Sequence, residues 1–177
     1  PTTILKAIPG AKYHDGGRLE FGPDGKLYVT TGDATVGAIA QNLDSLGGKI
    51  LRLNDDGTVP DDNPFDSFVY SYGHRNPQGL AWDEQGRLWE TEHGPSSLLP
   101  SNCCRDELNL IVPGKNYGWP EIKGNEITPG MQPPILMSGD SITWAPASAA
   151  FINGSIFFGG LRGQTLYLAK RQEDGSV

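Results

Sequence analysis

Short apolar runs alternate with polar turns along the whole chain, and one such pattern recurs. Arg18–Gly32 reads RLEFGPDGKLYVTTG and Gly79–Gly94 reads GLAWDEQGRLWETEHG, and the two align without a gap at an offset of 61 residues. A shorter copy, AAFINGSIFFG, lies at Ala149–Gly159. Because each copy places alternating apolar residues on both sides of an Asp-Gly, Gln-Gly or Asn-Gly pair, each predicts a β-hairpin.

A further strand-like run follows each hairpin, in Gly47–Val59, Arg105–Trp119 and Gly163–Val177. No segment of useful length shows the 3.6-residue apolar period of a helix, so the chain is predicted to be all-β. Three units of roughly 60 residues, each with several antiparallel strands, are typical of propeller blades. We place these units at roughly 14–75, 76–140 and 141–177 and beyond, within a single partial β-propeller domain over 1–177. A ring needs ~4–8 blades, so we expect the rest of the propeller to be required for closure.

Composition and charge narrow the classes of function. Gly 24 and Pro 14 fall between the apolar runs, as turns do between strands. A net charge of −7 argues against nucleic-acid binding, which needs a basic surface. No apolar run is long enough to span a membrane. The chain opens with Pro-Thr-Thr and no signal peptide, so we expect a processed or truncated product.

The two cysteines, Cys103 and Cys104, are adjacent. A bond between neighbours would close no useful loop, and two adjacent thiols without further Cys or His form a poor zinc site. We therefore predict free thiols, or partners outside this chain, in preference to a disulfide between the two.

Three polar clusters flank the repeated hairpins. His14 precedes the first hairpin, His74, Arg75 and Asn76 precede the second, and the segment 92–95 follows the second. His14 and Asn76 lie four and three residues ahead of their hairpins, so rotation about a propeller axis would bring them to one rim around a central cleft. Each cluster also has a simpler interpretation, as a loop histidine, an ion pair between blades or a turn starter.

Several of these segments resemble the PQQ-dependent soluble sugar dehydrogenases, the glucose and aldose dehydrogenase family of six-bladed propellers. The segments that carry the resemblance are HDGGRLEFGPDGKLYVTTGD, GGKILRLNDDG, YGHRNPQGLAWD, EHGP, DELNLIVPGKNYGWP and WAPASAAF, spread over nearly all of residues 5–170. Membership implies a quinoprotein that oxidises the anomeric C1 hydroxyl of an aldose to the lactone by hydride transfer to PQQ. It also implies a Ca²⁺ ion that polarises the quinone, an external electron acceptor, and a periplasmic or secreted location.

The resemblance assigns roles to individual residues. His14 matches the general base, and Arg75 and Asn76 match the pair that contacts PQQ. Gly94 and Pro95 match the positions whose backbone carbonyls hold the calcium ion, a hard cation for which carbonyl oxygens are suitable ligands. Three further residues match positions near the cofactor or substrate: Thr143, Trp144 and Arg162. Arg162 occupies a position where some relatives have a lysine. The segment 96–104 is an insertion after the calcium-binding carbonyls.

Two other functions fit an all-β propeller. A non-catalytic propeller could bind a protein or glycan, although such a scaffold has no need of His14, Arg75, Asn76 and the Gly94–Pro95 pair together. A metal-dependent lactonase would need several carboxylate or Asn ligands around one metal, and none converge by repeat position.

Overall fold

The computed structural model describes residues 1–95 and 103–170, so most of the insertion after Pro95 and the end of the last strand-like segment lie outside the described residues. The described residues form three antiparallel sheets. The first contains β1 (Leu19–Phe21), β2 (Leu27–Thr31), β3 (Lys49–Leu53) and β4 (Val69–Tyr72). The second contains β5 (Pro77–Trp82), β6 (Leu88–Glu92), β7 (Glu107–Ile111) and β8 (Leu136–Met137), and the third contains β9 (Pro146–Ile152), β10 (Ser155–Gly160) and β11 (Thr165–Lys170).

The three hairpins predicted from the repeat are confirmed. Leu19 pairs with Val29 across the first turn, Trp82 with Leu88 across the second, and Ser155 with Ile152 across the third. The strand-like run after each hairpin forms the third strand of its sheet. Strands that follow one another in sequence lie side by side, which is the meander of a propeller blade.

The described part of the chain contains no α-helix, and its only helical turns are two short 3₁₀ segments, Gly37–Ala40 and Pro64–Asp66. No helix there is both long and apolar enough to cross a membrane. The all-β prediction is therefore confirmed.

The second sheet is packed on both faces, because successive residues of a strand point to opposite sides. Leu88 and Ile111 face the first sheet, where they join Tyr28 and Ile50 in one apolar cluster. The opposite face carries Trp89 and Leu108, which pack with core residues of the third sheet. The apolar core thus lies between neighbouring sheets.

Antiparallel order brings two sets of loops to the same end of all three sheets. The loops that enter β1, β5 and β9 lie at this end, and so do the loops that join the second strand of each sheet to the third. We call this end the rim. The rim contains every residue that the sequence analysis assigned to chemistry.

Cys103 and Cys104 form a disulfide with each other, so the prediction of free thiols or outside partners is wrong. The prediction weighed the entropy of loop closure, which favours bonds between distant residues. Between neighbours that entropy is irrelevant, and local backbone geometry decides the pairing. Cys104 is buried beside the segment at Gly94.

Candidate active site at the rim

His14 lies on the loop before β1 with its backbone in the left-handed region, at φ 62°. The carbonyl oxygen of His14 accepts a hydrogen bond from Ala34 N at 3.0 Å, which ties the loop to the segment after β2. Gly32 makes this approach possible, because a Cβ there would collide with the carbonyl of His14. A non-glycine residue in this conformation is uncommon and costs free energy, and such positions concentrate at functional sites.

Asp33 positions the imidazole of His14. His14 Nδ1 lies 2.9 Å from Asp33 Oδ1, and the carboxylate also accepts hydrogen bonds from Thr35 N and Trp119 Nε1, each at 2.8 Å. Although burial acts to raise it, these hydrogen bonds hold the pKa of Asp33 below its ordinary value. The ionised carboxylate accepts the proton on Nδ1, so Nε2 of His14 carries the lone pair.

Arg75 is buried between the first two sheets. Its backbone carbonyl accepts a hydrogen bond from Asp33 N at 2.8 Å, and its backbone N–H donates to Glu92 Oε2 at 3.1 Å. The guanidinium lies 5.3 Å from the ring centroid of Trp119 and donates from Nη1 to the carbonyl of His93 at 3.2 Å. Nε of Arg75 is buried and has no hydrogen-bond partner among the described residues. Burial lowers the pKa of Arg75, and the charges of Asp33 and Glu92 oppose that effect.

Asn76 links the second sheet to the loop that carries His14. Asn76 Oδ1 accepts hydrogen bonds from Gly16 N at 3.1 Å and from Gln78 Nε2 at 3.0 Å. Its backbone carbonyl accepts from His93 N at 3.2 Å. No described residue accepts a hydrogen bond from Asn76 Nδ2, so this amide group retains two donors for a ligand.

Gly94 and Pro95 follow β6 at the same rim. Gly94 N donates to Asp106 Oδ1 at 2.9 Å, and no described residue donates to the carbonyl oxygens of Gly94 or Pro95. A Cβ at Gly94 would collide with the carbonyls of Cys104 and Arg105, so glycine is required for this close packing. Two unengaged carbonyls on adjacent residues are ligands of the kind that calcium prefers.

Asp106 ties these carbonyls to the loop that enters β9. Its Oδ2 accepts hydrogen bonds from Thr143 Oγ1 at 2.8 Å, Trp144 N at 2.6 Å and Ala145 N at 2.9 Å. One buried carboxylate therefore receives four donors from two loops. Asp106 fixes the distance between the Gly94 segment and the third sheet.

Three of the residues assigned by resemblance lie at the third sheet. The hydroxyl of Thr143 donates to Asp106, and its oxygen can still accept from a ligand. Trp144 is buried in the apolar core with Phe158 and Tyr167 rather than in an open cleft. Arg162 lies exposed on the turn between β10 and β11, which contacts the same loop through Gly163 N and the carbonyl of Trp144 at 3.3 Å.

The sequence analysis missed the residues that hold this arrangement together, namely Asp33, Asp106 and Trp119. A usable signal was present for two of them. Asp33 comes just after β2, the second strand of the hairpin that follows His14, and Asp106 immediately precedes β7 on the far side of the insertion. Nothing local marks Trp119, which reaches Asp33 across 86 positions of sequence.

A group of possible metal ligands also lies outside the equivalent positions of the repeat, so the prediction that none converge by repeat position does not cover it. His74, Glu90 and Glu92 each offer a ligand atom, and these atoms lie within 4.8 Å of one another. The repeat could not predict this group, because its members come from alternate positions of one strand and from the loop before the hairpin. Burial lowers the pKa of His74 to about 3, with a smaller contribution from Lys49, so its imidazole is neutral.

Comparisons with known proteins identify relatives of this chain. The whole chain, residues 1–177, matches the glucose/sorbosone dehydrogenase family. Quinoprotein glucose dehydrogenase B of Acinetobacter calcoaceticus is 41% identical in an alignment of 147 positions that covers 70% of this chain and 29% of that protein. Aldose sugar dehydrogenase YliI of Escherichia coli (strain K12) is 38% identical in an alignment of 178 positions that covers 88% of this chain and 45% of that protein.

A solved structure of the PQQ-bound aldose sugar dehydrogenase of Streptomyces coelicolor superposes with a TM-score of 0.90 at 41% identity, covering 100% of this chain and 51% of that one. A second, of a glucose dehydrogenase from Thermus thermophilus described as a putative oxidoreductase, gives a TM-score of 0.89 at 45% identity and covers 97% of this chain and 54% of that one. These likenesses confirm the β-propeller fold. The chain spans about half the length, or less, of the proteins that it matches.

Proposed function

Because this chain belongs to the glucose/sorbosone dehydrogenase family, we propose that it forms the catalytic rim of a PQQ-dependent aldose dehydrogenase. The reaction is oxidation of the anomeric C1 hydroxyl of an aldose to the lactone. The observation that carries the proposal is the convergence at one rim of the His14–Asp33 pair, the buried Arg75 and the carbonyls of Gly94 and Pro95, which no described residue engages.

His14 acts as the general base of the proposed reaction. Its Nδ1–H is held by Asp33 at 2.9 Å, so Nε2 can take the proton from the sugar hydroxyl. After that transfer the imidazolium lies against an ionised carboxylate, which stabilises the new positive charge. The imidazole is partly exposed, at 22%, as contact with a diffusing sugar requires.

The rim residues suit an anionic, oxygen-rich cofactor. When bound, PQQ would supply the acceptor for the hydride released from C1, and a calcium ion would polarise its quinone. Arg75 would hold the cofactor through its positive charge and its unpartnered buried Nε, and Asn76 through the two donors on Nδ2. Gly94 and Pro95 would hold calcium through carbonyl oxygens that no described residue engages.

The same proposal includes the finer roles that the resemblance implies. Thr143 and Gly94 both donate hydrogen bonds to the carboxylate of Asp106, which holds Thr143 near the Gly94 segment. Thr143 would contact cofactor or substrate. Trp144 shapes the loop from the core, and Arg162 would add positive charge from the exposed turn. Electrons would leave to an external acceptor. A periplasmic or secreted location remains a prediction from the resemblance.

The test is aldose-dependent dye reduction by the full-length gene product, with PQQ and Ca²⁺ added. We expect activity that requires both additions and that His14→Ala abolishes while the protein still binds PQQ. Arg75→Ala should weaken PQQ binding, measured by absorbance titration, and the exposed substitution Lys6→Ala is the matched control. PQQ binding without sugar oxidation under any condition would instead support a non-catalytic propeller that binds a protein or glycan. If PQQ binding is unaffected by Arg75→Ala, the assignment of the site is wrong.

A further inference from the structure

A buried polar cluster lies between the first and second sheets, beneath the rim. It comprises His74, Glu90, Glu92 and Asn109. Glu90 and Glu92 alternate along β6 and therefore share one face of the second sheet, and Glu90 pairs in register with Asn109 on β7. His74 enters from the loop before β5 and stacks on Tyr117 at 4.9 Å.

Most of the buried side-chain atoms that lack a hydrogen-bond partner among the described residues are concentrated here. His74 Nδ1, Glu90 Oε1 and Asn109 Oδ1 are buried without a hydrogen-bond partner, and Arg75 Nε is the other such atom in residues 1–95 and 103–170. His74, Glu90 and Asn109 are each 0% exposed, and Glu92 is 3% exposed. His74 Nδ1 lies 3.3 Å from Glu92 Oε2, which is ion-pair distance without the alignment of a hydrogen bond.

The described residues balance the negative charge of this cluster only in part: the charge of Arg75 acts on Glu92, but no described cation bonds to Glu90. Asn109 Nδ2 donates to Glu90 Oε2 at 3.1 Å and leaves the other oxygen of that carboxylate unmet. Lys49 is close enough to influence His74, but its ammonium donates to the carbonyls of Ile39, Ala40 and Gly47. A buried carboxylate without a partner is costly, and a bound cation removes that cost.

The ligand atoms are spaced for a single ion. One ligand atom from each of His74, Glu90 and Glu92 lies within 4.8 Å of the other two. Two ligands of the same ion lie at most two bond lengths apart, and metal–ligand bonds are about 2.0–2.4 Å long, so one ion can reach all three atoms. His74 Nε2 lies 2.8 Å from Ser71 Oγ, and if it donates its proton there, Nδ1 presents a lone pair to the cluster.

We propose that His74, Glu90 and Glu92 bind a divalent transition-metal ion, with Asn109 Oδ1 as a neutral fourth ligand. One imidazole with two carboxylates favours an ion such as Zn²⁺ or Mn²⁺ over Ca²⁺, which prefers oxygen ligands alone. This site is separate from the Gly94–Pro95 carbonyls and uses side chains. The ion joins the loop before β5 to β6, and Glu92 also accepts the backbone N–H of Arg75, so the ion would stabilise the packing beneath the rim.

The test uses the full-length gene product after treatment with a chelator and dialysis into excess Ca²⁺, which keeps the carbonyl site supplied. Zn²⁺ or Mn²⁺ is then added, excess is removed, and metal content and melting temperature are measured. We expect wild type to retain a stoichiometric amount of transition metal and to melt at a higher temperature than the stripped protein. Glu90→Gln should lose both the metal and the shift. Glu84→Gln, at an exposed position, should keep both.

Melting temperatures distinguish a bound ion from a simple buried acid, because the two predict changes of opposite sign in the melting temperature of Glu90→Gln. Without an ion, Glu90→Gln removes a costly buried carboxyl and leaves the melting temperature unchanged or raises it, whereas Asn109→Asp adds another carboxylate and lowers it. With an ion, Glu90→Gln lowers the melting temperature and Asn109→Asp retains the metal. The proposal is overturned if wild type and Glu90→Gln hold equal metal, or if chelation leaves the wild-type melting temperature unchanged. Should Glu90→Gln fail to fold, the wild-type chelation shift and the metal content of Asn109→Asp still decide.

Discussion

Replacing Asp33 by asparagine removes one negative charge beneath His14 and leaves the size of the side chain unchanged. Asp33 Oδ1 receives His14 Nδ1 and Thr35 N, and Oδ2 receives Trp119 Nε1. An amide has only one acceptor oxygen. If the amide oxygen faces His14 and Thr35, the hydrogen bond to Trp119 is lost. In the reverse orientation the amide NH2 group faces the donors of both His14 and Thr35, and two hydrogen bonds are lost. The first orientation is therefore favoured, and His14 keeps its tautomer.

The expected losses of stability and of kcat in Asp33→Asn follow from these distances. An unmet hydrogen bond to Trp119 costs on the order of 1–3 kcal/mol of folding free energy. An imidazolium and a carboxylate 2.9 Å apart attract by about 6 kcal/mol at an effective dielectric constant of about 20. His14 is 22% exposed, and solvent screening reduces this attraction to on the order of 2–4 kcal/mol. The attraction exists only after His14 has taken the proton, so at ~1.36 kcal/mol per tenfold its loss lowers kcat by about 30- to 1,000-fold.

The assay is steady-state aldose oxidation by the full-length gene product with saturating PQQ and Ca²⁺. We expect kcat to fall by the stated factor while KM for the sugar changes little, because Asp33 acts through His14 and does not contact the sugar. Asp61→Asn, at an exposed position, should behave as wild type. A folded Asp33→Asn enzyme with wild-type kcat would refute the role of Asp33 as the residue that positions and stabilises the base.

Three further outcomes follow from the same contacts. Asp106→Asn should raise the Ca²⁺ and PQQ concentrations needed for half-maximal activity, because an amide cannot accept all four donors that meet the carboxylate. Gly32→Ala should abolish sugar oxidation and lower the melting temperature because its Cβ collides with the His14 carbonyl, whereas Gly159→Ala, with open space around it, should be neutral in both assays. Although burial opposes it, hydrogen bonding lowers the pKa of Asp83 below 3.8, so its contribution to stability is present above pH 3.8 and is lost as pH falls through the lower folded value. Urea midpoints should therefore fall more steeply in acid for wild type than for Asp83→Asn.

The fold could be predicted because its information is local. Alternation of apolar residues around Asp24-Gly25 and Gln85-Gly86 specifies a hairpin without reference to the rest of the chain. The recurrence of that hairpin with a third strand then implies the meander. The bond between Cys103 and Cys104 could not be predicted in this way, because it depends on backbone geometry at one loop.

The candidate site was predictable only in part. The repeat brought His14 and Asn76 to one rim, and the structure joins their segments through Gly16 N and Asn76 Oδ1. The repeat carries no information about Asp33 or Asp106, because each bonds to groups on two or more distant loops. Contacts of that kind depend on how neighbouring sheets pack, which the alternation of residues within one strand does not encode.

The positioning residues share one arrangement that explains how a single rim is built from three sheets. Asp33 lies just after β2 of the first sheet and donates its backbone N–H to the carbonyl of Arg75, at the entrance to the second sheet. Asp106 lies just before β7 of the second sheet and holds residues 143–145, at the entrance to the third. Each acid therefore reaches forward to the loop that enters the next sheet. A site of this kind acquires its geometry only when adjacent sheets are packed together, so substitutions in the apolar layers between sheets, such as Leu88→Ala, should weaken cofactor binding at the rim as well as lowering stability.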